Sequence, residues 1–182
     1  QLAIYLQTVR GLDALAAALV LTPWPLAAAV LFPRAGRIVT RIGPERTMVG
    51  SLVVSTAAAA LMIAFDRNTP LPIVSLVAAL GGVPLALGVV ASTTCALAEF
   101  PAHEAGIASG VFNSLRQVGS SLGVAVPAAA FDLALAGALG GGDVLAGSTL
   151  AFASRAIAFG LVLALVAAIL PRGHAVAMPE PA

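Results

Sequence analysis

Five long apolar runs with almost no charge set the limits on how this chain folds. Ala14 to Phe32 gives 19 uncharged residues, Met48 to Phe65 gives 18 and Leu71 to Ala98 gives 28. Ala105 to Phe131 gives 27 with one charge inside, Arg116. Ala156 to Leu170 gives only 15, but Arg155 in front of it can snorkel and let the span begin near residue 152. A helix needs about 20 apolar residues to cross a bilayer core. Each run is apolar nearly all round, so each must be buried in protein or in lipid. Composition decides between the two. Only 9% of the residues are charged and 60% are hydrophobic, where an ordinary soluble domain is about 25% charged. A globule of 182 residues has too much surface to cover with so few charges. The expectation is an all-α, polytopic transmembrane helix bundle. Its five complete spans are about 14–32, 48–65, 71–98, 105–131 and 152–170. Residues 1–7 form the stub of a sixth helix, residues 1–170 one domain, and residues 171–182 a tail.

The same composition narrows the partners. A net charge of +1, from nine Arg, no Lys and eight acids, leaves no basic field for nucleic acid, so the bilayer is the expected partner. One cysteine, Cys95, excludes an internal disulfide framework and a thiolate metal cluster. His103 and His174 lie too far apart for metal-ligand spacing. HExxH, Walker and G-x-S-x-G motifs are absent. The string Gly140-Gly141-Gly142-Asp143 matches the GxGD of intramembrane aspartyl proteases. That chemistry needs two facing aspartates at membrane depth, and Asp132 is the only nearby candidate. The reading is therefore of no enzyme, no metal and no cofactor. The chain does not start with Met and its first residues lack signal-peptide order, so it reads as the back part of something longer.

Alternating the connections assigns sides. One side collects the 33–47 loop, the 99–104 loop and the tail, with Arg34, Arg37, Arg41, Arg46 and Arg172. The other collects the stub, the 66–70 turn and the 132–155 connection, with Arg10, Arg67 and Arg155. Short arginine-rich loops stay in the cytoplasm, which puts the C-terminus there; alanine and arginine richness without lysine suggests a high-GC bacterial genome, so the expected location is a bacterial cytoplasmic membrane.

Polarity enters the membrane in the fourth span. Ser109, Asn113, Arg116, Gln117 and Ser120 occupy roughly one third of the helix circumference at 100° per residue. Lipid does not solvate that stripe, so it faces the bundle or an aqueous cavity. Two readings of Arg116 stand: it touches or gates a substrate, or it caps a neighbouring helix or pairs with Glu99 or Glu104. Small residues repeat on the same helix, Gly106 with Gly110 and Gly119 with Gly123. Gly81 and Gly88 share a face of the third span with Pro84, Ser92 and Cys95. Such pairs let a second backbone approach closely. In the first span, Thr22-Pro23-Trp24-Pro25 is expected to break the helix, leaving Trp24 either as a stacking surface in a cavity or as packing.

Two segments carry a family resemblance. Gly36 to Arg46 (GRIVTRIGPER) resembles the loop motif G-x-x-x-D-R-x-G-x-x-R of the major facilitator superfamily. Ala105 to Val126 (AGIASGVFNSLRQVGSSLGVAV) resembles a penultimate helix of its fourteen-helix drug:proton antiporters, the multidrug and antiseptic efflux branch. The opening YLQ and the proline-containing helix after it fit the same order. The chain would then be the C-terminal half of such a fold. In the motif, Gly36 would let two helices meet, Arg37, Arg41 and Arg46 would hold the lipid phosphates, and Gly43 would turn the chain as part of a cytoplasmic gate. Thr40 stands where the family has an acid, so a charged lock is not expected here. The resemblance implies proton-coupled export of small lipophilic compounds by alternating access, with Trp24, Asn113, Arg116 and Gln117 on the cavity wall. No acid lies mid-span, so the proton carrier would sit in an N-terminal half. The alternative is a non-transporting membrane module or the remnant of a truncated transporter gene.

Overall fold

The computed structural model describes residues 2–135, apart from 99 and 102, and 144–169. The described chain is helical. A short α1 (Leu2–Ile4) continues as a π-helical turn (Tyr5–Val9), followed by α2 (Ala14–Leu21), α3 (Pro23–Ile42), α4 (Pro44–Ile63), α5 (Leu71–Ala98), α6 (Ala105–Leu135) and α7 (Val144–Ile169). Among the described residues four stretches are long and apolar enough to cross a membrane: Ala14–Ile42, Pro44–Ile63, Leu71–Ala98 and Gly147–Val166. The chain is a multi-pass membrane protein. At 31 residues, α6 has the length, but Asn113, Arg116 and Gln117 dilute its hydropathy and it does not join these four. The expected fifth complete span therefore differs in kind from the others. Gly140–Asp143, His174, Glu99 and the tail lie outside the described residues.

One local expectation is corrected and another is narrowed. The first span is not followed by a loop over residues 33–47. Helix α3 runs on to Ile42, and α4 begins at Pro44. Charged residues end an apolar run without ending a helix: the Arg34 side chain donates to the Val30 carbonyl at 2.9 Å, within its own helix. The connection is Gly43 alone, at φ +96°, a backbone that favours glycine, and Pro44 supplies the preset φ of a first helical residue. The break expected at Thr22-Pro23-Trp24-Pro25 is present but narrow: α2 ends at Leu21, α3 begins at Pro23, and the backbone between them stays right-handed. Thr22 sits at φ −53°, ψ −35°. Pro23 has no N–H to give, so the Thr22 N–H turns to the Leu19 carbonyl at 3.3 Å. The Thr22 hydroxyl takes the vacated Ala18 carbonyl at 2.9 Å. With that satisfied, the interruption between α2 and α3 is one residue long.

Packing is organised around α5, which lies against both α3 and α4, while α4 also packs on α7 and α7 on α6. The closest approach is α3 on α5. A Cβ at Gly82 would overlap the Trp24 carbonyl and come within 2.9 Å of the Ala27 Cβ. Gly81 meets the Trp24 indole at 3.4 Å from such a Cβ, and Gly88 meets Ser51 of α4 at 3.4 Å. The small-residue face of α5 thus serves two partners. By contrast, Gly36, Gly106, Gly110, Gly119 and Gly123 have nothing within 4 Å of a Cβ among the described residues.

The apolar core lies at one end of the bundle. Tyr5, Phe65 and Phe152 form an aromatic triangle with centroids 5.9, 6.1 and 6.4 Å apart, surrounded by Leu6, Met62, Val74 and Val77. Above it, the 66–69 turn fastens the first helix to the α4–α5 hairpin: the Tyr5 hydroxyl donates to the Asp66 carbonyl and the Arg10 guanidinium to the Thr69 carbonyl. Asp66 Oδ1 accepts from the Asn68 N–H at 2.8 Å and the Thr69 hydroxyl at 2.9 Å. These bonds favour the charged form and lower the Asp66 pKa below its ordinary 3.8, the Asn68 N–H first and the Thr69 hydroxyl second. A carboxyl lowered on folding contributes stability above its unfolded pKa, and the contribution is lost as pH falls through the folded value. Asp66→Asn should therefore lower the melting temperature of detergent-solubilised protein at pH 7 and leave it flatter than wild type below pH 4. Parallel melting curves across that range would show that the turn does not depend on the charge.

Candidate functional site

The polar stripe predicted from the sequence sits on α6. Asn113, Arg116, Gln117 and Ser120 are all exposed, as are the residues of this helix from Asn113 to Val126. Among the described residues Arg116 caps no other helix. Its Nη2 donates to Asn113 Oδ1 at 2.9 Å, one turn back, and Glu104 instead approaches His103 at 3.4 Å. Arginine is fully charged at any relevant pH, so this i, i+3 bond orients the guanidinium but leaves its charge unmatched among the described residues. The hydroxyls around it are spent within the helix: Ser109 donates to the Gly106 carbonyl, Ser114 to Gly110 and Ser121 to Gln117, at 2.9 to 3.0 Å. What remains outward-facing is the Asn113–Arg116 pair with the Gln117 amide and the Ser120 hydroxyl beside it. This arrangement can offer hydrogen bonds and one positive charge to whatever lies against α6.

The other sequence candidates are placed elsewhere. Trp24 is 45% exposed, with one edge of its indole over Gly81 of α5. It thus belongs to the α3–α5 contact, and the described chain does not bring it together with Asn113, Arg116 and Gln117. Arg37, Arg41 and Arg46 are exposed around the Gly43 bend, with Ala35 and Val39 buried on the opposite side of α3. This is an arginine collar on the outside of a helix end. Thr40, where an acid was absent, donates to the Arg37 carbonyl at 3.0 Å, so its hydroxyl is occupied locally. Thr93 and Thr94 bond back to Val89 and Val90 of their own helix at 2.8 and 2.9 Å. Where α5 ends and α6 begins, an apolar groove of about 370 Å³ is lined by Phe100, Ile107, Val111, Phe112 and Leu115, with Glu104 at its rim.

Three features escaped the sequence reading. Gly82 was passed over in favour of its neighbour Gly81, because both fit a small-residue stripe and only the helix crossing selects between them. The Tyr5–Asp66 and Arg10–Thr69 bonds join residues about 60 positions apart, for which no spacing rule exists. Arg155, read as a snorkelling side chain, holds its guanidinium 6.0 Å from the centre of the Phe159 ring. The i, i+4 spacing of a cation and an aromatic was the available signal.

The model of the Major Facilitator Superfamily matches residues 1–124, from the first helix through the α6 stripe. The chain belongs to the major facilitator superfamily. As a member of this family of membrane transporters, the chain is similar to several drug-resistance proteins. It is 33% identical over 122 residues to the Multidrug resistance protein Stp of Mycobacterium tuberculosis, covering 67% of this chain and 22% of that one. The identity is also 33% over 122 residues to the Tetracenomycin C resistance and export protein of Streptomyces glaucescens, covering 67% and 23%. With the Puromycin resistance protein pur8 of Streptomyces alboniger it is 33% over 99 residues, 50% of this chain and 19% of that one. The chain thus spans about a fifth of the length of these relatives. No solved structure matches with comparable significance.

Proposed function

We propose that this chain is the C-terminal part of a proton-coupled efflux transporter that exports small lipophilic compounds across a bacterial cytoplasmic membrane. The observation that carries the reading is the uncovered polar stripe of α6, in a family of transporters whose named relatives confer drug resistance. A lipid-facing helix has no use for an adjacent asparagine, arginine and glutamine at membrane depth. A helix that walls an aqueous passage does. In this reading α6 is a fifth membrane span, and Asn113, Arg116 and Gln117 face the passage, while Trp24 stays in the α3–α5 contact. The arginines around Gly43 lie at the cytoplasmic face with the C-terminus, and Gly36 and Gly43 serve the gate between helices. Gly106, Gly110, Gly119 and Gly123 lie open for the close approach of helices from the rest of the carrier. Among the described residues Asp13, Glu45, Asp66, Glu104 and Asp132 all stand at helix ends or turns, which supports placing the carboxylate that takes up and releases the proton in that remainder.

Labelling tests this directly. In the intact carrier, with Cys95 replaced, a cysteine at position 113 should react with a membrane-impermeant maleimide from one compartment, and an exported compound should slow the reaction. Arg116→Ala should change drug resistance several-fold at equal membrane expression. A position 113 that no water-borne reagent reaches from either side would remove the passage from this helix.

A further inference from the structure

Helix α6 has two faces that differ in kind. At 100° per residue, Ile107, Val111 and Leu115 fall on the opposite side of the helix from Asn113, Arg116 and Gln117. The apolar row therefore turns away from the stripe, toward the end of α5. Between the two helices it lines the groove of about 370 Å³ together with Phe100 and Phe112, and Glu104 stands at the rim. Ile107, Val111 and Leu115 remain 74%, 55% and 66% exposed, so no described helix covers them. Glu104 directly precedes the first residue of α6. From there to Leu115 the helix rises about 16 Å, roughly half the thickness of a bilayer core. The groove thus carries a charge at the membrane-surface end of α6 and is apolar from there inward. The Glu104 carboxylate approaches His103 at 3.4 Å, and both side chains are more than half exposed. A histidine offers a countercharge only when protonated.

A groove built in this order selects on shape and charge together. An uncharged apolar molecule gains nothing from Glu104, and an anion is repelled by it. A cation joined to an apolar body matches both ends, and the aromatic rings of Phe100 and Phe112 favour positive charge. An amphiphilic cation in a leaflet has the same order, with its charge at headgroup level and its body among the chains. The anionic cytoplasmic leaflet concentrates such cations. We propose that the α5–α6 groove binds a lipophilic cation out of the cytoplasmic leaflet, its charge at Glu104 and its body along Ile107, Val111 and Leu115. The inference rests on the transporter reading above, which places this end of α6 at the cytoplasmic face. It adds a class of compound and a site for it apart from the stripe. The stripe carries Arg116 and repels a cation, whereas the groove supplies a carboxylate.

Tetraphenylphosphonium and tetraphenylborate have one shape and opposite charge, and they test this in the intact carrier in membrane vesicles. With Cys95 replaced, a cysteine at position 107 is alkylated by N-ethylmaleimide. Tetraphenylphosphonium should slow that reaction several-fold and tetraphenylborate should not. A cysteine at position 165 of α7, 59% exposed, should be protected by neither. Glu104→Gln should raise the tetraphenylphosphonium concentration for half-protection about tenfold, the effect of losing a charged contact. Glu104→Asp should fall between Glu104→Gln and wild type, and it is the measured variant if Glu104→Gln fails to reach the membrane. Equal protection by the two ions, or protection that the Glu104 variants leave within twofold of wild type, would show that the groove does not read charge and would overturn the inference. No protection at position 107 overturns it as well. In each of these cases the transporter reading is decided separately, by the labelling of position 113.

Discussion

Replacing Gly82 with leucine should remove most of the protein from the membrane fraction. The α3 backbone lies so close to α5 here that the first side-chain carbon already overlaps the Trp24 carbonyl. That obstacle is backbone and cannot rotate aside. The Ala27 Cβ at 2.9 Å and the Ala28 nitrogen at 3.1 Å close the remaining directions. Lipid tails are as apolar as leucine, so between membrane helices close packing and hydrogen bonds replace the hydrophobic effect as the source of association. Forcing α3 and α5 apart thus forfeits contacts along the whole crossing. Gly82→Ala should already cost about 1–3 kcal/mol, the usual range for overpacking a tight interior. Gly36→Ala, made where nothing lies within 4 Å, should be close to neutral. Yield and melting temperature of the detergent-solubilised protein give the comparison. A Gly82→Leu protein as abundant and heat-stable as wild type would mean that the α3–α5 contact is not formed.

The second large effect is expected at Tyr5. Its ring is fully buried between Phe65 and Phe152, and its hydroxyl holds the Asp66 carbonyl. Tyr5→Ala empties the centre of the aromatic triangle and should cost about 3–5 kcal/mol, as truncation of a buried aromatic does. Tyr5→Phe keeps the ring and loses one neutral hydrogen bond, which should cost about 1 kcal/mol. The difference between the two assigns the clasp mainly to packing. Equal losses in thermal unfolding would assign it to the hydroxyl instead. The same substitutions report on how the first helix is attached. Apart from the Arg10 bond and the short hydrophobic contacts around Leu6, little else fastens the π-helical turn to the α4–α5 hairpin.

The composition and the long apolar runs were enough to specify a helical membrane protein, and the uncharged run from Leu71 to Ala98 is helical, as its length and hydropathy require. The end of α3 was not legible. Hydropathy reports where lipid ends, whereas a helix ends where the backbone loses its bonds, and here only Gly43 interrupts them. The candidate site divides in the same way. The stripe on α6 follows from spacing along one helix, which is local information. Which face of α5 receives α3, that Trp24 belongs to that contact, that Tyr5 reaches Asp66, and that Arg155 turns toward Phe159 depend on the crossing of helices and on single rotamers. These are set by close packing over distances of a few ångströms between residues far apart in the chain, and a linear pattern carries no record of them.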